Sequence, residues 1–282
     1  MTIDIEHLRG WIDRSQTLHD TVTPVSLRAL TALLDRDDAP QNAGDAVPPC
    51  WHWLYFLPLT RQSEIAADGH AKRSGFLPPV PLPRRMWAGS RISFERPLTV
   101  GSALTRTSRI ADVSAKDGRT GPLVFVRVIH ELSDERGLVL TDEKDIVYRD
   151  HPRADESAPP PKAAPTDAQW SREVHPDPVL LFRYSALTFN GHRIHYDRSY
   201  VTEVEGYPGL VVHGPLIATL MLDGLRRARP EAVVTRFACR AVKPTFDIGP
   251  FSVCGRVDGN AVRLWAQDAD GYLAMDATAT LA

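Results

Sequence analysis

Short segments in which apolar and polar residues alternate recur along the chain, and most of them end at glycine or aspartate. Such alternation is typical of β-strands that bury one face, with turns at the glycines and aspartates. In the first half, the pattern predicts a strand at residues 102–110, followed by a polar loop at residues 111–121. In the second half, it predicts strands at residues 233–243, 251–257, 261–268 and 272–281. We therefore expect antiparallel sheets in both halves.

Helical patterns precede the strands in each half. Residues 215–229 are predicted to form a helix, with a proline in its first turn, arginines at its end and apolar residues over most of its surface. A helix that is apolar almost all round must be buried. In the first half, residues 3–34 contain two helix-like stretches, and residues 51–65 are predicted to form a helix, whole or broken at Pro58. We expect each sheet to wrap around one buried helix.

The two halves resemble each other in the order of their turns. Asp134-x-x-Gly137 in the first half and Asp268-x-x-Gly271 in the second are each followed, five residues after the glycine, by another aspartate. Each motif is the pattern of a tight turn between two strands. Duplication of one unit explains the recurrence, with the polar loop as an insertion in the first copy. Chance is the alternative, because glycine and proline punctuate most β proteins.

Length and composition favour two folded units. The chain has 282 residues, of which 43% are hydrophobic, and this is enough for two cores of roughly 140 residues each. Prolines, alanines and charged residues crowd into residues 150–167, a composition typical of an exposed linker. We predict an N-terminal unit at residues 1–150, a linker at 151–166 and a C-terminal unit at 167–282. Residues 75–83, rich in proline but uncharged, are predicted to form an ordered surface loop.

Charge and cysteine content argue against several classes of protein. A net charge of −2 provides no general attraction to nucleic acid or to anionic membranes. The three cysteines form no CxxC pair, so neither a disulfide framework nor a zinc knuckle is indicated, and we expect buried thiols. No apolar stretch is long enough to span a bilayer. We expect a cytoplasmic protein without a cofactor.

The most informative segment reads RYSALTFNGHRIHYD at residues 183–197, followed by GYPGLVVHGPL at residues 206–216. The first stretch carries Asn190, His192 and His195 in a loop, and the second places His213 and Gly214 at the start of the apolar helix. An imidazole beside free amides at a helix start is suited to adding or removing water next to a polarised carbonyl.

These two stretches resemble the signature of MaoC-type enoyl-thioester hydratases and dehydratases. The resemblance is to the branch that contains mitochondrial 3-hydroxyacyl-thioester dehydratase type 2, mesaconyl-C4-CoA hydratase and itaconyl-CoA hydratase. It extends to GFLPPVPLPRRMWAG at residues 75–89, which is similar to the non-catalytic unit of that branch. The resemblance implies an α+β double hotdog, with a non-catalytic first hotdog and a catalytic second one.

The usual element of that family reads S-G-D-x-N-P-x-H, with Asp and His as the proton-transfer pair. Here Asn190 stands in the place of the Asp and His195 in that of the His, while His192 and Arg193 take the places of Asn and Pro. The resemblance implies that His195 is the main acid/base and that Asn190, whose amide cannot exchange a proton at neutral pH, orients a water. The backbone N–H of Gly214 would stabilise the developing enolate.

The expected substrate is an acyl-CoA, specifically a short branched or C5 dicarboxylic one such as mesaconyl-C4-CoA or itaconyl-CoA. A second carboxylate would need a cation, for which Arg193 or Arg183 is available, and either arginine could instead brace the loop. The phosphates of CoA would need other cations. The remaining candidates for substrate binding are His192, His213, Arg84 and Arg85. Lys72 and Arg73 form another basic cluster of the first half, and each of these Lys and Arg residues could instead belong to a solvated face. Exposed sheet edges are often covered by association, and a homodimer would cover them here.

Several alternatives stay open at this point. His192, His195, Asp197 and His213 could bind a metal, although the motif is not HExxH, and no metal is expected. His213 could serve only to hydrogen-bond the loop. Ser185 lacks a G-x-S-x-G context, so acyl-thioester hydrolysis on the same fold is the weaker enzymatic reading. The substitution at Asn190 also allows a catalytically degenerate acyl-CoA-binding module.

Overall fold

A computed structural model describes residues 3–40, 42–73, 75–118, 121–151 and 160–282. The described strands form one continuous antiparallel sheet in the order β1-β3-β4-β5-β2-β7-β10-β9-β8-β6. The strands of the first half are β1 (Ser15–Thr21), β2 (Arg84–Phe94), β3 (Ala103–Gly118), β4 (Gly121–Asp134) and β5 (Gly137–Arg149). Those of the second half are β6 (Trp170–Val174), β7 (Val234–Ala241), β8 (Phe251–Asp258), β9 (Ala261–Asp268) and β10 (Leu273–Leu281).

The strand order repeats within the sheet. In each half the first strand lies at the outer edge, the third, fourth and fifth follow, and the second strand lies innermost. The two halves join where β2 pairs with β7, with Ile92 opposite Phe237. Gly89 lies at this junction, where an added Cβ would come within 2.2 Å of the carbonyl oxygen of Cys239. The shared topology agrees with the duplication that the turn motifs predict.

The helices differ between the halves in one respect. They are α1 (Ile5–Arg9), α2 (Pro24–Leu33), α3 (Pro178–Leu187) and α4 (Gly214–Ala228). Both α2 and α3 begin with proline after the first strand of their half, and they pack against each other. Only the second half, among the described residues, has a long helix before its second strand. There α4 packs on β6, β8, β9 and β10 and is buried from Leu216 to Leu225.

The prediction of one buried helix per half is therefore half right. The predicted helix at residues 215–229 is confirmed as α4, whereas residues 51–65 form only short 3₁₀ turns, at Trp51–Leu54 and Gln62–Glu64. The apolar density of residues 51–65 does reflect burial, since Trp51, Leu54 and Tyr55 lie in the core. Density without a helical period was not evidence for a helix.

All four strands predicted in the second half are confirmed. The predicted polar loop at residues 111–121 is wrong, because β3 continues to Gly118 and pairs with β4 as far as Gly121. Its polar residues lie along a hairpin that extends into solvent, where Lys116 and Asp117 are exposed. Strand β1 escaped prediction because it is an edge strand with mostly exposed residues and few apolar ones.

Part of the predicted linker, residues 152–159, lies outside the described residues. Its end is described and is held in place: Ala163 pairs with Tyr272, and Leu273 N–H donates to the Lys162 carbonyl at 2.7 Å. The loop at residues 75–83 buries Val80 and Leu82, as expected of an ordered loop. The three cysteines are free and buried. Across the described ranges, no helix combines the length and apolarity that crossing a membrane requires.

Candidate active site

The loop of the sequence motif, residues 188–197, begins where α3 ends; we call it the motif loop. After Leu187 the chain turns through Phe189, whose φ is +49°, and the N–H of Asn190 donates to the carbonyl of Ser185 at 2.8 Å. The Oδ1 of Asn190 then accepts the backbone N–H of His192 at 3.0 Å, which shapes the following 3₁₀ turn, Arg193–His195. Asn190 thus uses its oxygen on its own loop, and only its Nδ2 is left to donate to a ligand.

His195 is held as a neutral base. Its Nδ1 lies 2.7 Å from the carbonyl oxygen of Val211. A carbonyl can only accept, so Nδ1 carries the proton and Nε2 keeps a free lone pair. Burial lowers the pKa of His195 to about 4, although the hydrogen bond to Val211 opposes this shift. The side chain is therefore uncharged at neutral pH and able to take a proton at Nε2.

His213 lies directly against this base. Its ring stacks on that of His195 with centroids 3.7 Å apart and an interplanar angle of 18°. Its Nε2 lies 2.8 Å from the hydroxyl of Ser185, and its Nδ1 is buried with no hydrogen-bond partner among the described residues. Burial lowers the pKa of His213 well below its usual value. The neutral imidazole of His213 therefore fixes the position of His195. Ser185 is in turn the hydrogen-bond partner of His213.

Helix α4 begins beside these two rings. Its N-cap is His213, whose side chain makes no capping hydrogen bond, and Pro215 in the first turn has no N–H. The amides of Gly214 and Leu216 thus remain at a helix start, where the helix dipole favours negative charge. A Cβ on Gly214 would lie 2.5 Å from Cε3 of Trp87, so a first-half tryptophan closes this end of the site.

A loop of the first half docks onto the motif loop. Gly69, with φ of +88°, lies so close that an added Cβ would come within 1.7 Å of the Gly191 carbonyl oxygen. The N–H of Arg193 donates to the carbonyl of Asp68 at 2.9 Å. Residues from both halves therefore form the site. The backbones meet at Gly69 and Gly191, where a larger side chain would not fit.

This docking creates a row of four imidazoles. Ring centroids are 3.9 Å apart for His70 and His192, 5.5 Å for His192 and His195, and 3.7 Å for His195 and His213. Asp68 lies at the open end, where its Oδ2 is 3.0 Å from Nδ1 of His70. Burial alone would raise the pKa of Asp68, but hydrogen bonds from His70 hold it well below its usual range.

The sequence did not point to Asp68, His70 or Trp87. They lie far from the motif in sequence, and no spacing within their own segment marks them. The nearest signal was the resemblance at residues 75–89, which includes Trp87. It indicated that the first half belongs to the same kind of protein, without indicating which side chains cross to the second half.

Most of the predicted cations brace the structure. Arg193 pairs with Asp197 at 2.7 Å and lies over the ring of Tyr200, while buried Arg84 pairs with Glu205 at 2.9 Å. Lys72 and Arg73 donate to backbone carbonyls, and Arg183 is exposed on α3. Arg85 differs, because it lies opposite Tyr148 where β2 pairs with β5, and its charge adds to the effect of burial in lowering the pKa of both His70 and His192.

The histidines of the motif are not arranged around a common metal. Nδ1 of His195 and Nε2 of His213 face protein partners, and Asp197 pairs with Arg193. Donor atoms of Asp68, His70 and His192 do lie within 4.8 Å of one another. This group shares only His192 with the predicted metal set, and Nδ1 of His70 is engaged by Asp68 at 3.0 Å.

Acid should destabilise the protein well above the pH at which carboxylates titrate. Burial lowers the pKa of His130 to about 3, of His192 to about 2 and of His195 to about 4. Between these values and the unfolded value near 6.5, only the unfolded chain binds the protons, so stability rises with pH. We expect the free energy of unfolding to fall from pH 7 to pH 5 by up to about 1.4 kcal/mol per pH unit for each such histidine.

Urea unfolding at pH 7, 6 and 5 measures this slope, and His192→Gln should flatten it. A free energy of unfolding that stays constant over this interval would mean that these histidines are charged in the folded protein.

Comparison with known proteins places the chain in a family. A family model described as hydroxyacyl-thioester dehydratase type 2 matches residues 50–247. Mesaconyl-C4-CoA hydratase of Chloroflexus aurantiacus is 44% identical over 273 residues, covering 96% of this chain and 97% of that protein. Mitochondrial hydroxyacyl-thioester dehydratase type 2 of Schizosaccharomyces pombe is 27% identical over 247 residues, covering 78% of this chain and 80% of that one.

Solved structures agree on the fold. A MaoC-like dehydratase superposes with a TM-score of 0.73 at 14% identity, covering 97% of this chain and 99% of the other. HtdX of Mycobacterium tuberculosis gives 0.67 at 19% identity, with 94% and 99% covered. A further protein of that organism, described as a double hotdog, gives 0.60 at 14% identity, with 96% of each chain covered. The predicted double hotdog and the hydratase or dehydratase class are thereby confirmed, and the chain belongs to the hydroxyacyl-thioester dehydratase type 2 family.

Proposed function

We propose that the chain catalyses the reversible hydration of a C5 dicarboxylic enoyl-CoA, of which mesaconyl-C4-CoA is the leading candidate. One observation carries the chemistry: Nε2 of His195 is an unprotonated base beside the uncapped start of α4. The substrate class is supported by the 44% identity to mesaconyl-C4-CoA hydratase along nearly the whole of both chains.

The reaction begins with polarisation of the thioester. The carbonyl oxygen accepts the N–H of Gly214, where charge that develops on that oxygen is stabilised. His195 takes a proton from water at Nε2 as the water oxygen bonds to the β-carbon, and the electrons of the double bond move onto the thioester oxygen. The enolate then collapses and its α-carbon takes a proton back from the imidazolium. The sum is one water added, with His195 regenerated.

Asn190 has a narrower role in this scheme than the aspartate usual at its position. Its oxygen holds the N–H of His192, so Nδ2 is the group that donates to the water oxygen. Proton transfer then depends on His195 alone. Dehydration of the 3-hydroxyacyl-CoA follows the same steps in reverse, with His195 removing the α-proton.

The helices support different roles for the two halves. We propose that residues 1–150 form the non-catalytic hotdog and 167–282 the catalytic one, because only the second half carries α4 with His213 and Gly214 at its start. The first half contributes walls and polar groups, among them Trp87 and the loop of Asp68 and His70.

The assembly and cellular location stay predictions. Strands β1 and β6 are the outermost in the described sheet, and a homodimer that covers one of them would be detected by sedimentation analysis. We keep a cytoplasmic location as the expectation from composition.

Loss of absorbance at the enoyl-thioester band tests the activity directly. We expect turnover with mesaconyl-C4-CoA at a higher kcat/KM than with itaconyl-CoA or crotonyl-CoA, and a product heavier by one water. Saturable binding without turnover of any thioester would instead indicate a degenerate binding module. Release of free CoA would indicate a thioester hydrolase.

A further inference from the structure

Arg84 and Arg85 are neighbours in β2, so their side chains lie on opposite faces of the sheet. Arg84 is buried in an ion pair with Glu205, and its guanidinium lies 4.7 Å from the ring of Tyr207. Arg85 alternates to the other face, where it is opposite Tyr148 of β5. Trp87, two residues on, shares that face and reaches Gly214. Arg85 therefore lies on the surface of the first hotdog that faces the catalytic helix start.

The charge of Arg85 has no counterion in the described part of the protein. No described carboxylate forms an ion pair with it, in contrast to Arg84 and Arg193. Burial lowers the pKa of His70 and His192, and the charge of Arg85 lowers both further. Asp68, the carboxylate at the end of the imidazole row, directs its oxygens at His70. A partly buried cation without an anion is a site for one.

The proposed substrate brings an anion to this position. In mesaconyl-C4-CoA the second carboxylate is attached to the β-carbon, the atom that water attacks. When that carbon faces His195, the carboxylate must lie in the same neighbourhood. The imidazole row extends from His195 through His192 to His70, with ring centroids 5.5 Å and 3.9 Å apart.

We propose that Arg85, positioned by Tyr148, binds the free carboxylate of the acyl group and thereby selects dicarboxylic over monocarboxylic enoyl-CoAs. This inference rests on the proposed hydration. Arg85 replaces Arg193 as the proposed partner of the carboxylate, since Arg193 is engaged by Asp197 and by the carbonyl of Ala67 at 3.1 Å. Arg85 provides planar paired donors that match a carboxylate, which a lysine does not.

Arg85→Gln tests the assignment through a ratio of two substrates. We expect the kcat/KM for mesaconyl-C4-CoA, divided by that for crotonyl-CoA, to fall about 100-fold, because one partner of a charged hydrogen-bonded pair is removed. Arg85→Lys should recover part of the ratio. Arg28→Gln is the matched control, since it removes the same charge from an exposed position on α2 and should leave the ratio unchanged.

The CoA phosphates are the other source of an anion for Arg85, and both substrates carry them. An equal loss of kcat/KM for mesaconyl-C4-CoA and crotonyl-CoA in Arg85→Gln, absent with crotonyl-pantetheine, would assign Arg85 to a phosphate and overturn the proposal. An unchanged ratio in a variant that melts like wild type would also overturn it. Absence of turnover by the wild-type protein would contradict the proposed function itself, before Arg85 is considered.

Discussion

Replacing His195 with alanine should lower kcat/KM for enoyl-CoA hydration by at least about 100-fold while the protein stays folded. The loss is large because Nε2 of His195 is the only group in the proposed scheme that exchanges a proton with water and with the α-carbon. Asn190 cannot take over, since its amide does not ionise and its oxygen already holds the N–H of His192.

Rates with mesaconyl-C4-CoA, together with melting curves, check this prediction. His175→Ala is the matched control, because His175 is 74% exposed and lies outside the site. Retention of more than about a tenth of the wild-type rate by His195→Ala would show that another group is the base.

Gly214→Ala should lower kcat by about 10-fold to 100-fold, with a smaller effect on thermal stability. The added Cβ would lie 2.5 Å from Cε3 and 2.6 Å from Cζ3 of Trp87, so the helix start or the indole must move. Either movement displaces the N–H that stabilises the developing enolate, and oxyanion stabilisation depends on accurate placement of its donors.

Gly249→Ala provides the control, because an added Cβ there meets no atom within 4 Å. Steady-state kinetics of the two variants, measured beside their melting temperatures, separate a catalytic effect from unfolding. A Gly214→Ala variant with wild-type kcat would remove the amide of Gly214 from the mechanism.

The elements governed by local chemistry were predictable from the sequence. Strands β7 to β10 follow alternation and turn residues, and α4 follows from Pro215 and its continuous apolar surface. The repeated Asp-x-x-Gly turns agree with the repeated strand order. Prediction failed for strands that do not bury one apolar face. Strand β1 is exposed at the sheet edge, and the polar residues 111–118 pair in a protruding hairpin.

The motif loop was predictable and its partners were not. His195, His213 and Gly214 lie within one recognisable stretch, so their proximity could be expected. Asp68 and His70 approach them because the first half docks through Gly69 and Gly191. No pattern in the sequence predicts this contact between two backbones. Arg193 illustrates the converse case, since its spacing of four from Asp197 was visible and the ion pair explains why it braces the loop.

In the proposed mechanism, water is added at His195 to a thioester whose carbonyl accepts a hydrogen bond at the start of α4. A crystal structure of His195→Ala with bound mesaconyl-C4-CoA tests it most directly. We expect the thioester oxygen within hydrogen-bond distance of the Gly214 N–H and the β-carbon facing the space vacated by the imidazole. A thioester carbonyl bound away from Gly214, with its β-carbon remote from residue 195, would contradict it.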